Sequence, residues 1–355
     1  MRRGRSRHIA TGEELRDEIF TRNYDLGSHQ VIFYGSKGSG KTTLLMQIAL
    51  KSIQVGDLVV WRGRFRDIWP RLEPEQLVLF FHHQDKPLIK RSPIRSNKIE
   101  IVNDLYNIKY YKDPKDLIRK LQENVINVVY EPSYIQFPED FAAETGIDHD
   151  IFPGVYWWYW FLHTLNSRDD SKWYTICFDE VHDLSPSGIS GKAWKIIEWG
   201  VSTLSEMRDR YVSFYGTTHS LKLLDYRFVQ KFSFFGYLAG AKVHKESAMK
   251  HKGVINWLDP GEVILDRIDK GVYGKILFDP LPSKKFVYLI ERIWTGPKPS
   301  PKKEEKRKTL KEEIIEIAKK EGVERALEVL REMYKQKKIS QAHYYRLKGE
   351  VGEVL

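Results

Sequence analysis

The run Gly35–Thr42 reads GSKGSGKT, and it constrains this chain more than any other feature. An apolar strand pattern, Val31–Tyr34, precedes it directly, and a helical pattern from Lys41 to about Ser52 follows. The glycine-rich turn therefore joins a buried strand to a helix N-terminus, which is the context the G-x-x-x-x-G-K-[ST] pattern requires. Such a turn wraps backbone N–H groups around phosphate oxygens and aims the positive end of the helix dipole at the same charge. Gly35, Ser36, Lys37, Gly38, Ser39, Gly40, Lys41, Thr42 and Thr43 are read as a nucleotide-phosphate cradle. Lys41 neutralises β/γ oxygens and the Thr42 hydroxyl binds Mg2+, so ATP with Mg2+ is the expected ligand. The competing explanation, a chance glycine-rich turn, does not account for strand and helix both being in register.

A phosphate cradle needs an acidic counterpart at the end of another buried strand, because Mg2+ takes oxygen ligands and an attacking water needs a base. Trp173–Glu180, WYTICFDE, supplies both. Asp179 is expected to hold Mg2+ through water, and Glu180 to polarise the water for in-line attack on the γ-phosphate. An isolated acidic pair at a strand end commonly just faces solvent. Beside a complete phosphate loop the catalytic pair is the better account, and it assigns the chain to the strand-catalytic-glutamate (ASCE) class.

The remaining patterns alternate strand and helix. A strand at Leu58–Trp61 completes a βαβ order, which implies a parallel sheet covered by helices. Further strands are expected at Leu77–Phe81, Ile126–Tyr130, Tyr174–Phe178, Val212–Tyr215 and Phe232–Tyr237, with a helix at Pro114–Glu123. The expected fold is α/β, a RecA-like P-loop NTPase with a mainly parallel central sheet flanked by helices, plus a small C-terminal all-α module. Residues 1–28 form a basic tail and a helix opened by the Thr11–Glu14 capping box. Residues 29–296 form the P-loop domain, with an insertion around 62–170. Residues 297–308, rich in Lys and Pro, are a linker, and 309–355 carry three short amphipathic helices.

Composition bounds the setting. The sequence has 58 Lys and Arg against 48 Asp and Glu, a net charge of +10, which favours a polyanionic partner. A single cysteine, Cys177, excludes an internal disulfide and a cysteine-based zinc site. The first residues, MRRGRSRH, lack the apolar stretch of a signal peptide, and the most apolar window, Ile151–Leu165, is too short to span a bilayer. A cytoplasmic protein without membrane insertion is expected.

Asp179–Pro186 reads DEVHDLSP, which resembles the DEAH-x-x-x-P run after the catalytic strand of HerA-type translocases. A helical stretch to Arg210 and the strand YVSFYG follow, ending in Thr217, Thr218, His219 and Ser220. This block order is similar to that of FtsK, HerA and phage Zot-like ATPases, where a strand ends in Thr-Gln and the polar residue senses the γ-phosphate. Here Thr218 or His219 stands in place of that glutamine. The resemblance also implies an arginine just before this strand that reaches the neighbouring subunit's ATP. Arg208 matches best, with Arg210 beside it and Arg227 more distant; a solvent-facing helix-end cation is the alternative. The resemblance covers about residues 29–240 in separate blocks and does not explain 62–170. It implies a DNA-dependent ATPase acting on duplex DNA as a homo-oligomeric ring of about six copies, of the kind found in viruses and mobile elements.

Other segments invite weaker readings. The aromatic run VYWWYWFL within Ile151–Leu165 could stack on bases, but a buried helix or subunit contact accounts for it better. His82, His83 and His182 have no metal-site spacing. Arg2, Arg3, Arg5 and Arg7 could touch phosphates without reading sequence, and the basic C-terminal helices suit DNA or protein equally. A second functional class stays open: an ATP-switched DNA-binding or assembly factor with slow hydrolysis, whose C-terminal module is the working end. A superfamily 2 helicase needs a second RecA-like domain for which the chain after Glu180 has no room.

Overall fold

Gln30–Tyr34 (β1) is buried along its whole length, as a strand covered on both faces must be. Its side chains alternate between two cores. Val31 and Phe33 join residues of α1 (Gly12–Phe20) and α2 (Lys41–Gln54) on one face. Ile32 and Tyr34 join α4 (Pro153–Asn166) and α5 (Trp194–Met207) on the other. The structure, a computed structural model, describes residues 11–135, 153–190, 194–283, 285–297, 310–336 and 341–352. Arg2, Arg3, Arg5, Arg7 and most of the expected linker lie outside the described residues.

The chain divides into two compact units at Gly296 and Pro297. Among the described residues of the first, ten strands form one sheet in the order β12-β11-β10-β1-β9-β8-β2-β7-β3-β6. They are β2 (Leu58–Arg62), β3 (Leu77–His82), β6 (Asn107–Tyr111), β7 (Ile126–Val129), β8 (Tyr174–Phe178), β9 (Val212–Thr218), β10 (Phe234–Tyr237), β11 (Glu262–Arg267) and β12 (Val272–Leu277), with β1 between β9 and β10. From β10 to β6 every pairing is parallel; β11 and β12 add antiparallel ladders at one edge. A smaller antiparallel sheet pairs β4 (Asp85–Pro93) with β5 (Glu100–Ile101) and β13 (Phe286–Trp294). Residues 62–170 thus extend the main sheet through β3, β6 and β7 and begin the small one.

Several expected boundaries move, each for a local reason. The first helix, expected from the sequence to run toward Arg22, stops at Phe20 because Thr21 turns extended, freeing Arg22 to pair with the buried Asp57. The helix expected to reach Glu123 is α3, Pro114–Lys120: Leu121 is already out of helical geometry, and the Gln122 N–H donates to the Asn127 side chain. Asn127, fully buried, also donates to the carbonyls of Val59 and Gln122. The strand expected from Phe232 starts at Phe234, since the Phe232 N–H closes a turn on Val229.

The aromatic run is core. Tyr156, Trp157, Trp158, Tyr159 and Phe161 on α4 are each at most 2% exposed, so their faces are not open to a base. Trp158 packs edge-on to Phe178, and its indole N–H donates to Glu131. Helix α5 comes close enough to α4 that a Cβ on Gly200 would lie 2.0 Å from the Tyr159 ring, which is why glycine stands there.

The second unit contains helices Leu310–Glu321, Val323–Lys335 and Gln341–Gly352. Ile314, Ala318, Ala326, Leu330, Tyr344, Leu347 and Val351 form its own small core.

Candidate functional site

The strands that carry the motifs end side by side. Tyr34 on β1 is registered with Thr218 on β9, and Gly216 on β9 with Phe178 on β8. The phosphate loop, the acidic pair and Thr217–His219 therefore emerge in one row at the carboxyl edge of the sheet, where ligands of open α/β sheets sit.

The loop itself is held open by backbone geometry. Gly38 and Gly40 have φ +82° and +91°, values that disfavour any side chain. Ser36 is tied by its N–H and its hydroxyl to the Ala239 carbonyl, 2.9 and 3.0 Å away. Lys41, only 6% exposed, donates to the carbonyls of Gly35 (3.0 Å) and Ser36 (2.8 Å) and lies 3.2 Å from His219 Nδ1. Burial holds its ammonium below the usual lysine range, and the Glu180 and Asp179 carboxylates oppose that shift.

Asp179, 8% exposed, gathers three partners. Thr217 donates to it at 2.5 Å, the Thr42 hydroxyl lies 3.3 Å from both carboxylate oxygens, and Arg64 donates at 3.3 Å. Glu180 sits in the left-handed region at φ 57°, ψ 57°, a conformation costly for a residue with a Cβ and concentrated at functional positions. Its N–H donates to Thr217 Oγ1 at 3.1 Å, which fixes the turn. Its carboxylate contacts His219 Nε2 at 3.2 Å, His182 Nδ1 at 3.3 Å and Arg64 at 3.8 Å.

The residues expected from the sequence thus separate into two places. Lys41, Thr42, Asp179, Glu180 and His219 form one continuous cluster. Thr218, fully buried, is turned to His182 (3.4 Å) and the Ser220 carbonyl (3.3 Å), so of the two residues in the sensor position His219 is the one touching the cluster. Arg208 is exposed and donates to the Leu26 carbonyl before the start of β9. Thr218 closes β9 at its far end from Arg208, about 20 Å of extended strand away. Arg227 is committed to Asp225 through two 2.9 Å bonds and stacks on Trp194.

Three contributors were not nominated as site residues, although Thr217 and His182 lie in the runs that carry the resemblance. Thr217 joins both acidic residues, His182 flanks Glu180, and Arg64 bridges the pair from the loop after β2. The Arg64 loop is set by Asp67, which accepts from the N–H groups of Arg64 and Ile68 and from the Trp61 indole. For Arg64 the one available signal was topological: loops at the carboxyl ends of parallel strands line the ligand crevice.

The donor set fits a Mg-nucleotide. A hydroxyl and a carboxylate, both hard oxygen donors, converge at Thr42 and Asp179, as Mg2+ requires. The buried Ser39 hydroxyl within the loop has no hydrogen-bond partner among the described residues, and an unsatisfied buried donor there suits a phosphate oxygen. The deciding observation is that β9 stands between the phosphate-loop strand β1 and the acidic strand β8. The fold is that of a RecA-like P-loop NTPase. No family model matches this P-loop chain, and no curated protein does. Among solved structures, it is similar to the genome packaging NTPase B204 of Sulfolobus turreted icosahedral virus 2 in complex with ATP-gammaS, at 10% identity over 73% of this chain and 100% of that one, TM-score 0.36. The bacterial conjugative coupling protein TrwBdeltaN70 is similar at 8% identity over 79% and 95%, TM-score 0.45. The N-terminal domain of zonular occludens toxin from Neisseria meningitidis is similar at 10% identity over 72% and 95%, TM-score 0.25. Among the described residues, no helix is long and apolar enough to cross a membrane.

Proposed function

We propose that this chain is an ATP-hydrolysing motor of the HerA/FtsK type that works as a homo-oligomeric ring on duplex DNA. The observation that carries the hydrolytic part is the unbroken contact path Lys41–His219–Glu180 beside Asp179 and Thr42. Lys41 would neutralise the β/γ-phosphate oxygens, and Glu180 would accept the proton of the attacking water as the γ-phosphate leaves ADP. Mg2+, held by Thr42 and by Asp179 through water, would withdraw charge from the phosphate oxygens. His219, touching both the phosphate-binding lysine and the base, takes the sensor role. Arg64 lowers the repulsion between the two carboxylates and holds them in place.

DNA and the ring are supported by the net charge of +10 and the DEVHDLSP resemblance. Arg208 cannot reach the cluster of its own chain across the length of β9, so its role would be played on a neighbour's nucleotide.

The test is steady-state ATP hydrolysis at low salt, with no nucleic acid, with single-stranded DNA and with duplex DNA. Stimulation by duplex is expected, fading as salt rises. Turnover indifferent to DNA would instead favour an ATP-switched assembly factor whose C-terminal unit, Pro297–Leu355, engages a partner. The shared site has its own check. Arg208→Ala and Lys41→Ala chains should each be inactive and regain partial turnover on mixing, and a mixture as inactive as its parts rules out Arg208 in trans.

A further inference from the structure

The phosphate loop accounts for one end of a nucleotide, and a separate cavity is lined by Phe278, whose ring meets the loop at Gly40. This cavity, about 360 Å3, lies between α1, α2 and the Leu277–Asp279 segment that follows β12. Its walls are apolar at Phe20, Leu44, Ile276 and Phe278, while Arg16, Asp17, Gln47, Lys51 and Asp279 bring polar and charged groups to it. Phe278 is only partly buried and packs at the edge of the core beneath α1 and α2. Its backbone is pinned, the N–H donating to the Gly261 carbonyl at 2.8 Å. Its ring abuts the phosphate loop itself: a Cβ on Gly40 would come within 3.1 Å of it.

We propose that this cavity receives the base of the nucleotide whose phosphates the Gly35–Thr42 loop holds, with Phe278 as the stacking face and Gln47 and Asp279 as partners for an exocyclic amine. The proposal rests on the phosphate-site reading and adds to it the side on which the rest of the nucleotide lies. Three observations converge. The acidic pair, His219 and Arg64 occupy the flank toward β9, β8 and β2, so the base must leave by the other flank, toward β10–β12. That flank holds a cavity with room for a purine. Phe278, one wall of that cavity, abuts the loop at Gly40 and has its backbone tied to Gly261, so its ring is offered from a held segment as a stacking face.

The test compares binding of Mg·ATP and Mg·tripolyphosphate to the full chain, wild type and variants, by calorimetry. Phe278→Ala should weaken ATP about tenfold or more and leave tripolyphosphate unchanged, whereas Phe278→Tyr should bind ATP as wild type does. Phe278→Leu keeps apolar volume without the π-face, and should behave like alanine if stacking is what matters. Equal weakening of both ligands by Phe278→Ala would mean that the ring only supports the loop, and would overturn the base assignment. An unchanged ATP affinity would overturn it too. In both cases the phosphate reading stands if Lys41→Ala still abolishes tripolyphosphate binding, and falls if it does not. Photolabelling the wild-type chain with 8-azido-ATP needs no variant. The label should fall on Phe20, Gln47 or residues 277–279, and labelling confined to another part of the chain would refute the site.

Discussion

Glu180→Gln should keep ATP bound and lower its hydrolysis by about 10²–10⁴-fold, the range of a positioned general base. The amide is nearly the same size and can still meet Arg64 or His219, so the loop should keep its shape. It cannot take a proton from water. The φ of 57° at this position is maintained from outside the side chain, by the N–H bond to Thr217, and a substitution that keeps the Cβ leaves that bond in place. Binding of a fluorescent ATP analogue, measured beside phosphate release, separates the two effects. Normal turnover by the variant would remove Glu180 as the base. Loss of binding together with turnover would make Glu180 part of the phosphate site instead.

Lys41→Ala should act earlier, on affinity. Its ammonium is almost fully enclosed and satisfied by two loop carbonyls at 3.0 and 2.8 Å, with His219 Nδ1 at 3.2 Å. Removing a buried charge that pairs with phosphate costs about 2–5 kcal/mol, roughly 30- to 4,000-fold in Kd. Equilibrium titration with ATP reads this directly, and an unchanged Kd would place the phosphates elsewhere. The variant also deprives the loop carbonyls of Gly35 and Ser36 of their donor, so a modest fall in Tm is expected with the loss of binding. A purely structural role would give the fall in Tm alone.

How much of this was legible in sequence depends on how local each feature is. Val31–Tyr34 followed by GSKGSGKT and a helical pattern could be read directly, because strand, turn and helix are consecutive and the chemistry is carried by neighbours in the chain. WYTICFDE was legible for the same reason, and β8 spans the residues expected of it. The C-terminal helices stood out through their 3.6-residue apolar period. By contrast, β4, β5, β6 and β11–β13 were not anticipated. Asn107–Tyr111 and Val272–Leu277 mix exposed and half-buried positions, so at sheet edges the alternation that marks a strand is blurred. The aromatic run shows the opposite case. Its composition allowed a base-stacking surface, and only the packing of α4 against α5 and β8 made it core.

The site divides along the same line. Sequence alone marked out the Gly35–Thr42 turn, the acidic strand end and the polar close of β9, since each is a contiguous run whose backbone conformation is specified locally. It left Thr218 and His219 open as alternatives, and it ranked Arg208 ahead of Arg210 and Arg227 only by the distance from Thr217. Tertiary structure decided that His219 bridges Lys41 and Glu180, that Thr217 fixes both acids, that Arg64 enters from the loop after β2, and that Phe278 closes on Gly40. Those partners lie tens to hundreds of residues apart along the chain and meet only because the sheet sets β1, β9, β8 and β2 in that order. Strand order follows from how two apolar faces are covered by helices, a property of the whole packed domain that no short run of residues encodes.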